Sequence, residues 1–316
     1  GSIKRALEKL RIAEAAATLA GFQQPALLDA FTAQRDKAWM AYGLYWEHDF
    51  AAQNAVPIAT RIAWQKQQAA EIERYTDLIY TSALARLSAQ IQTSGTNTRV
   101  FVFNPLSWGR TGAADRRCAN TAAIHVADVL TDAEVPSQAV WVDGLRYLRI
   151  QASEVPSLGY RVYEIRPGAG ATVFSNAATT GGTMIENDAY RIRVSGSGAI
   201  TSLTDKVRGN REFAAAVNSQ WINHLWQGSA GSLVGAVSVT NEGSVSVTLV
   251  CTGNSPVAHS TWITLFRDSR RIDIRDRILR NFDALTRWGF GFNLVQPDVW
   301  HEEVGAILRA KKKADG

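Results

Sequence analysis

The 316-residue sequence has two cysteines, Cys118 and Cys251, too few for a disulfide framework or a four-thiolate metal site. They leave the redox compartment, and with it the localisation, undetermined. Histidine is also scarce: His48, His125, His224, His259 and His301. No pair of them has zinc-site spacing, and there is no His-Glu-x-x-His. No serine lies in a Gly-x-Ser-x-Gly elbow, and no nucleotide-binding glycine pattern follows a strand. A self-contained catalytic triad or metal cage therefore cannot be assembled from local motifs. Apolar runs stay well short of the eighteen or so residues that span a bilayer, so no membrane partner is expected. Residues Gly1 to Leu10 are charged and helix-like rather than an apolar signal core, and Gly1-Ser2 reads as an expression scar.

The composition is that of a folded chain. Hydrophobic residues make up 46% and charged residues 20%, which excludes a disordered segment of this size. At about 150 residues per domain the length suggests roughly two domains. The net charge of +5 invites a nucleic-acid reading, but the basic residues are interleaved with acids, as in Arg267-Asp268-Ser269-Arg270-Arg271-Ile272-Asp273-Ile274-Arg275-Asp276-Arg277. That alternation predicts a half-exposed strand with cross-strand ion pairs. The like-charge run Lys311-Lys312-Lys313 reads as a solvated tail, so no nucleic-acid partner is expected.

Composition divides the chain into a helical part at 1–93, a small β-domain at 94–170 and a β-sandwich at 171–316 that continues past the end of the sequence. Ile3, Leu7, Leu10, Ala13, Ala17 and Ala20 recur at helical spacing, and Gly21 supplies the stop. A second helix is expected from about Ala26 past Trp46. A third starts near Pro57, a natural first-turn proline, and runs towards Ile91. From Thr93 the pattern changes to short β-like runs: Arg99–Asn104, Ala122–Val126, Ala139–Val142, Gly159–Ile165, Tyr190–Val194, Ser244–Val250, Thr261–Phe266 and Arg271–Leu279. The stretch Pro167–Thr183 reads as a linker. The fold class is thus α+β and multidomain: an N-terminal three-helix bundle followed by antiparallel β-sandwich domains.

The densest chemical cluster is Trp46-Glu47-His48-Asp49-Phe50, late in the second helix. One reading is a helix end whose Glu, His and Asp face solvent while Tyr42, Tyr45 and Trp46 pack inwards. The other is a sugar or metal site, in which imidazole supplies a nitrogen ligand, a carboxylate accepts sugar hydroxyls and aromatic faces stack on pyranose rings. His125 alternates with Ile124 and Val126 as a solvent-face strand residue. His224, in Trp221-Ile222-Asn223-His224-Leu225-Trp226, is assigned to a sandwich-edge loop with a sugar-facing groove as its functional alternative. Trp300-His301-Glu302-Glu303 is left unassigned.

Four further segments carry a resemblance. Val102-Phe103-Asn104-Pro105-Leu106-Ser107-Trp108-Gly109-Arg110 opens the β region. Val155-Pro156-Ser157-Leu158-Gly159-Tyr160 is a turn. Ile185-Glu186-Asn187-Asp188-Ala189-Tyr190-Arg191 and Gly198-Ala199-Ile200-Thr201-Ser202-Leu203-Thr204-Asp205-Lys206 form a strand pair. In this order they resemble the β-region signatures of the glycoside hydrolase family 38 α-mannosidases. Tyr42-Gly43-Leu44-Tyr45-Trp46-Glu47-His48-Asp49 resembles that family's His-His-Asp-Ala stretch, with Glu47 in place of the first histidine and Gln53-Asn54 in place of the Gly-Thr that follows. The resemblance implies a galactose-mutarotase-like sandwich, His48 as a zinc ligand and Asp49 as a contact to the α-mannoside substrate.

It also implies a retaining glycosidase, whose two carboxylates stand about 5 Å apart across the scissile bond. In the family the nucleophile, the general acid and the other zinc ligands belong to a (β/α) domain that precedes the bundle. This chain is therefore expected to be a fragment with no catalytic residue of its own, inactive alone, and to have that N-terminal domain and an α-mannoside glycan as partners. The alternative is a non-catalytic carbohydrate-binding β-sandwich module.

Overall fold

The computed structural model describes residues 2–22, 24–46, 55–91, 95–282, 284–303 and 306–310. Helices precede antiparallel sheets, giving the α+β class expected. The chain forms two compact units, one of Gly1–Arg110, Ala127–Ala133 and Glu154–Arg166, the other of Thr111–Val126, Glu134–Ser153 and Pro167–Gly316.

In the first unit, helix α1 (Ser2–Gly21) ends at the glycine that lacks helix propensity. The chain then makes two 3-10 turns, Pro25–Leu27 and Asp29–Phe31, so α2 (Thr32–Tyr45) starts six residues later than the sequence pattern suggests. Leu27 is buried in that detour, and the Thr32 hydroxyl donates to the Asp29 carbonyl at 3.0 Å. Helix α3 (Ile58–Ser88) begins after Pro57, whose ψ of 139° places it in the cap rather than the first turn. Ile3, Ala6, Leu10 and Ala13 of α1 meet Ala38 and Ala41 of α2 and Ala69, Ile72, Tyr75 and Ile79 of α3 in one core. The many alanines let the helix backbones approach closely. No helix among the described residues is long and apolar enough to cross a membrane.

Strands Thr98–Asn104 and Gly159–Pro167 pair antiparallel, with Asn104 opposite Gly159. Two of the quoted segments meet here, fifty residues apart in sequence. The Asn104 side chain is 1% exposed. Its amide donates to the carbonyls of Trp108 (2.7 Å), Pro156 (3.0 Å) and Val155 (3.2 Å), and its oxygen accepts the Leu106 N–H at 3.1 Å. Leu158 N–H closes the knot on the Leu106 carbonyl at 2.9 Å. Beside it, Glu164 accepts from Arg166 (2.8 Å), Arg99 (3.1 Å) and Asn97 (3.3 Å).

The core of the second unit lies between two sheets. Strands Ala236–Thr240, Ser246–Gly253, His259–Phe266 and Ile272–Ile278 form a sequential meander. Their inward residues Val247, Leu249, Cys251, Ile263 and Leu265 pack on Ile185, Ile192, Val194 and Ile200 of the facing five-stranded sheet. The Ile272–Ile278 strand alternates as expected, but its ion pairs do not run between paired strands. Arg271 pairs with Asp273 two residues on, and Arg275 reaches Asp143 in the turn of the Ser137–Val142/Leu145–Val155 hairpin. Side chains two apart on a strand share a face, which explains the first pair.

The other two quoted segments also converge. Asn187 accepts the N–H groups of Ala189 (3.0 Å) and Tyr190 (2.8 Å) and donates to the carbonyls of Phe266 (3.0 Å) and Ser269 (3.4 Å). Glu186 binds Arg191 at 2.6 Å and Lys206 at 2.9 Å, and Lys206 also donates to the Asn187 carbonyl at 2.8 Å.

These carboxylates set an acid limit on stability. Hydrogen bonds from Arg166 and then Arg99 hold Glu164 at about 2, and Arg191 followed by Lys206, against the opposing effect of burial, holds Glu186 at about 2, both far below the ordinary 4.5. The folded state therefore binds fewer protons than the unfolded chain between those values, so stability present above pH 4.5 is lost as pH falls towards 2. The double variant Glu164→Gln/Glu186→Gln is expected to be less stable than the parent at pH 7. Its unfolding midpoint should change less between pH 5 and pH 2.5, and urea titrations at the two pH values check both statements; equal slopes would remove the two pairs from the acid response.

Candidate functional site

Helix α2 carries the aromatic residues that lead to the expected site. Trp39 and Tyr42, three residues apart on one helix face, meet edge to face with ring centroids 5.9 Å apart. Tyr45 and Trp46 do the same at 5.4 Å. Tyr42 and Tyr45 pack against the bundle core, as the helix-end reading expects, but Trp46 is 54% exposed rather than packed inwards. The helix stops at Tyr45, where Trp46 N–H turns back to the Gly43 carbonyl. Glu47, His48 and Asp49 lie outside the described residues. The exposed Trp46 indole is thus the last described group before the expected zinc ligand and sugar contact.

An imidazole nitrogen is a suitable zinc donor, yet His48 alone falls short of a tetrahedral set. Among the described residues, no group of three or more His, Cys, Asp or Glu side chains is placed to hold a metal. Any further ligands would have to come from elsewhere.

His125 and His224 differ from their sequence readings. His125 is only partly exposed, with Nδ1 3.1 Å from the Gly168 carbonyl and Nε2 3.8 Å from Glu134. It helps fasten the Pro167–Thr183 connection, whose Ala171 and Thr172 N–H groups donate to the same Glu134 at 2.8 and 2.6 Å. His301 is exposed in the short strand Trp300–Glu303.

His224 lies in no edge loop. It begins the strand His224–Gln227, which pairs with Thr286–Gly289 on one side and Ala230–Gly231 on the other, and it is 3% exposed. Among the described residues, neither ring nitrogen makes a hydrogen bond of normal geometry, nor does the buried Nε1 of Trp226. Burial pushes the His224 pKa below 6.5, opposed by the nearby carbonyls of Ser232 and Ser219, neither of which is placed for a hydrogen bond of normal geometry. His259, 1% exposed, has Nδ1 2.7 Å from the Val257 carbonyl and Nε2 2.9 Å from the Ser197 carbonyl. The sequence offered one signal for this region: a histidine between two tryptophans.

The sequence matches no family model and no curated protein. In three dimensions it is similar to a crystal structure of a protein in glycosyl hydrolase family 38 from Enterococcus faecalis. The TM-score is 0.62 at 13% identity, covering 87% of this chain and 42% of that one. This chain thus spans less than half the length of the structure it resembles. At that identity the likeness is one of fold, and the chain has a glycosyl hydrolase family 38-like fold over most of its length.

Proposed function

We propose that this chain is part of a retaining, metal-dependent α-mannosidase that hydrolyses terminal α-mannosides of glycans. The observation that carries the reading is the family 38-like fold over 87% of the chain, together with the four sequence segments that resemble that family. In this reading the end of α2 delivers His48 as one ligand of a zinc ion and Asp49 as an acceptor for mannose hydroxyls. Zinc when bound polarises the sugar hydroxyls it touches. The nucleophile and the general acid come from a preceding (β/α) domain, which supplies the remaining ligands.

The helix end suits such a role physically. Tyr42 and Tyr45 are anchored in the bundle core, so the chain leaves α2 from a fixed point, and the Trp46 indole offers an apolar face for the C–H side of a sugar ring. The test is made on the full-length protein with an aryl α-mannoside. His48→Ala is expected to lose its zinc, and hydrolysis with it. Asp49→Asn is expected to keep the zinc and lose on the order of 100-fold in kcat/KM, the size of one well-placed polar contact to the transition state. Unchanged zinc content in His48→Ala, or absence of α-mannosidase activity in the parent, would overturn the assignment.

A further inference from the structure

On the strand His224–Gln227, His224 and Trp226 are two apart and so share a face. Their rings meet edge to face at 5.4 Å. Arg287 stands directly opposite Trp226 on the neighbouring strand, with its guanidinium 6.0 Å from the indole centroid. Opposite His224 is Gly289, and the Gln220 side chain fills the space a Cβ would take there, 2.2 Å from Gln220 Oε1. One face of this sheet thus gathers an indole, an imidazole, a carboxamide and a guanidinium. Among the described residues, three buried nitrogens on it, Nδ1 and Nε2 of His224 and Nε1 of Trp226, make no hydrogen bond of normal geometry, although the Ser232 and Ser219 carbonyls lie beside the imidazole.

What covers them is the segment Gly228-Ser229-Ala230-Gly231-Ser232-Leu233-Val234-Gly235. A Cβ on Gly231 would stand 2.6 Å from the Trp226 indole and 2.9 Å from His224 Nε2, so the hairpin backbone lies directly on both rings. Beyond the two-residue ladder of Ala230–Gly231 with Gln227 and Trp226, the cover is held at few points. Gly228 carries a positive φ of 58°, its carbonyl accepts from Arg287 at 3.1 Å and its N–H donates to Leu285 at 3.0 Å. The Ser232 carbonyl accepts the Ser197 hydroxyl at 2.6 Å. At the far end Gly235 packs backbone to backbone against Gly196, and Leu233 and Val234 face solvent. A glycine-bounded strap over unpaired polar nitrogens is built to lift.

We propose that Gly228–Gly235 is a lid over a carbohydrate-binding site, where a neutral pyranose stacks its C–H face on Trp226 and hydrogen-bonds to His224, Gln220 and Arg287. The indole takes the apolar side of the ring, and the orphaned nitrogens take its hydroxyls. The inference does not rest on the mannosidase reading.

Two substitutions separate a lid from inert packing, because they act in opposite directions. Gly231→Ala adds a methyl where the rings already touch the backbone, while Gly231 itself has no positive φ to strain the alanine. It should therefore hold the strap open, speed amide exchange across 228–235, and tighten binding of methyl hexopyranosides several-fold by raising the competent fraction. His224→Gln, checked for an unchanged melting transition, should weaken the same binding by about fivefold, the loss of one net hydrogen bond. Calorimetric titration and hydrogen exchange of the full chain with millimolar glycosides read both effects. The proposal is overturned if no glycoside binds the parent or Gly231→Ala, or if both variants weaken binding alike. Slow exchange of 228–235 matching the central strands would equally sink it.

Discussion

Replacing Asn104 with aspartate is expected to destabilise the first unit by about 3–5 kcal/mol, the penalty of an uncompensated buried charge. The two side chains have nearly the same shape, so packing is not the issue. The Asn104 amide shares its two hydrogens among the carbonyls of Trp108, Val155 and Pro156. Aspartate would place an anionic oxygen among those three acceptors, in a position 1% exposed. Asn104→Ala removes the same bonds without the charge and should lose only about 1–3 kcal/mol, the penalty of the unsatisfied groups alone. All three described helices belong to this unit, so urea unfolding followed by helical circular dichroism reports on it directly. An Asn104→Asp midpoint indistinguishable from that of Asn104→Ala would mean that water reaches the knot and that the amide is no clamp.

The Asn104 clamp shows why this part of the fold is legible in the sequence. The segments that carried the family resemblance turn out to be joints of the fold. Asn104 ties Val102–Arg110 to Val155–Tyr160, and Glu186, Asn187 and Lys206 tie Ile185–Arg191 to Gly198–Lys206. Such signatures are legible because a clamp demands one kind of side chain at one place: an uncharged carboxamide carries two donor hydrogens and an acceptor oxygen, enough to close a turn on several backbone groups at once. They identify a fold and are silent about chemistry. The chemistry was assigned from His48 and Asp49 alone, by residue type and by position after the α2 aromatics.

Other parts were not legible for physical reasons. The strand Arg110–Arg117, sequence RTGAADRR, has almost no apolar residues, since most of its positions are exposed. Leu145–Val155 was missed although Asp143-Gly144, with φ of 50° and 77°, is the favoured two-residue hairpin turn. The start of the second helix is not legible because Pro25 suits a 3-10 turn as well as a helix start. Above all, the isolation of the His224 and Trp226 nitrogens depends on Gly231 pressing on both rings, a tertiary contact that no local pattern encodes.

Gly198→Ala is expected to destabilise the second unit by about 2–5 kcal/mol, from two effects that can be measured apart. Gly198 has φ of 92°, where an L-residue is strained by about 1–2 kcal/mol. A Cβ there would also stand 2.5 Å from Cβ and 2.7 Å from Oγ1 of Thr261, a side chain 1% exposed in the strand His259–Phe266, and relieving such overpacking costs about 1–3 kcal/mol. The turn cannot easily shift, because Ser195 N–H bonds the Ala199 carbonyl at 2.7 Å and Gly198 N–H bonds the Ser195 carbonyl at 3.1 Å. Thr261 is fixed from the other side by its bond to Asp276 at 2.6 Å. In a Thr261→Gly background the clash disappears while the backbone strain stays, so Gly198→Ala should there lose only the smaller share. A double-mutant cycle read by amide exchange in Tyr190–Val194 and Ile200–Asp205 gives the coupling directly. A coupling near zero would assign the whole effect to φ, and a negligible effect of Gly198→Ala in the parent would show that the close approach of this turn to the meander sheet is not what holds the two layers of the sandwich together.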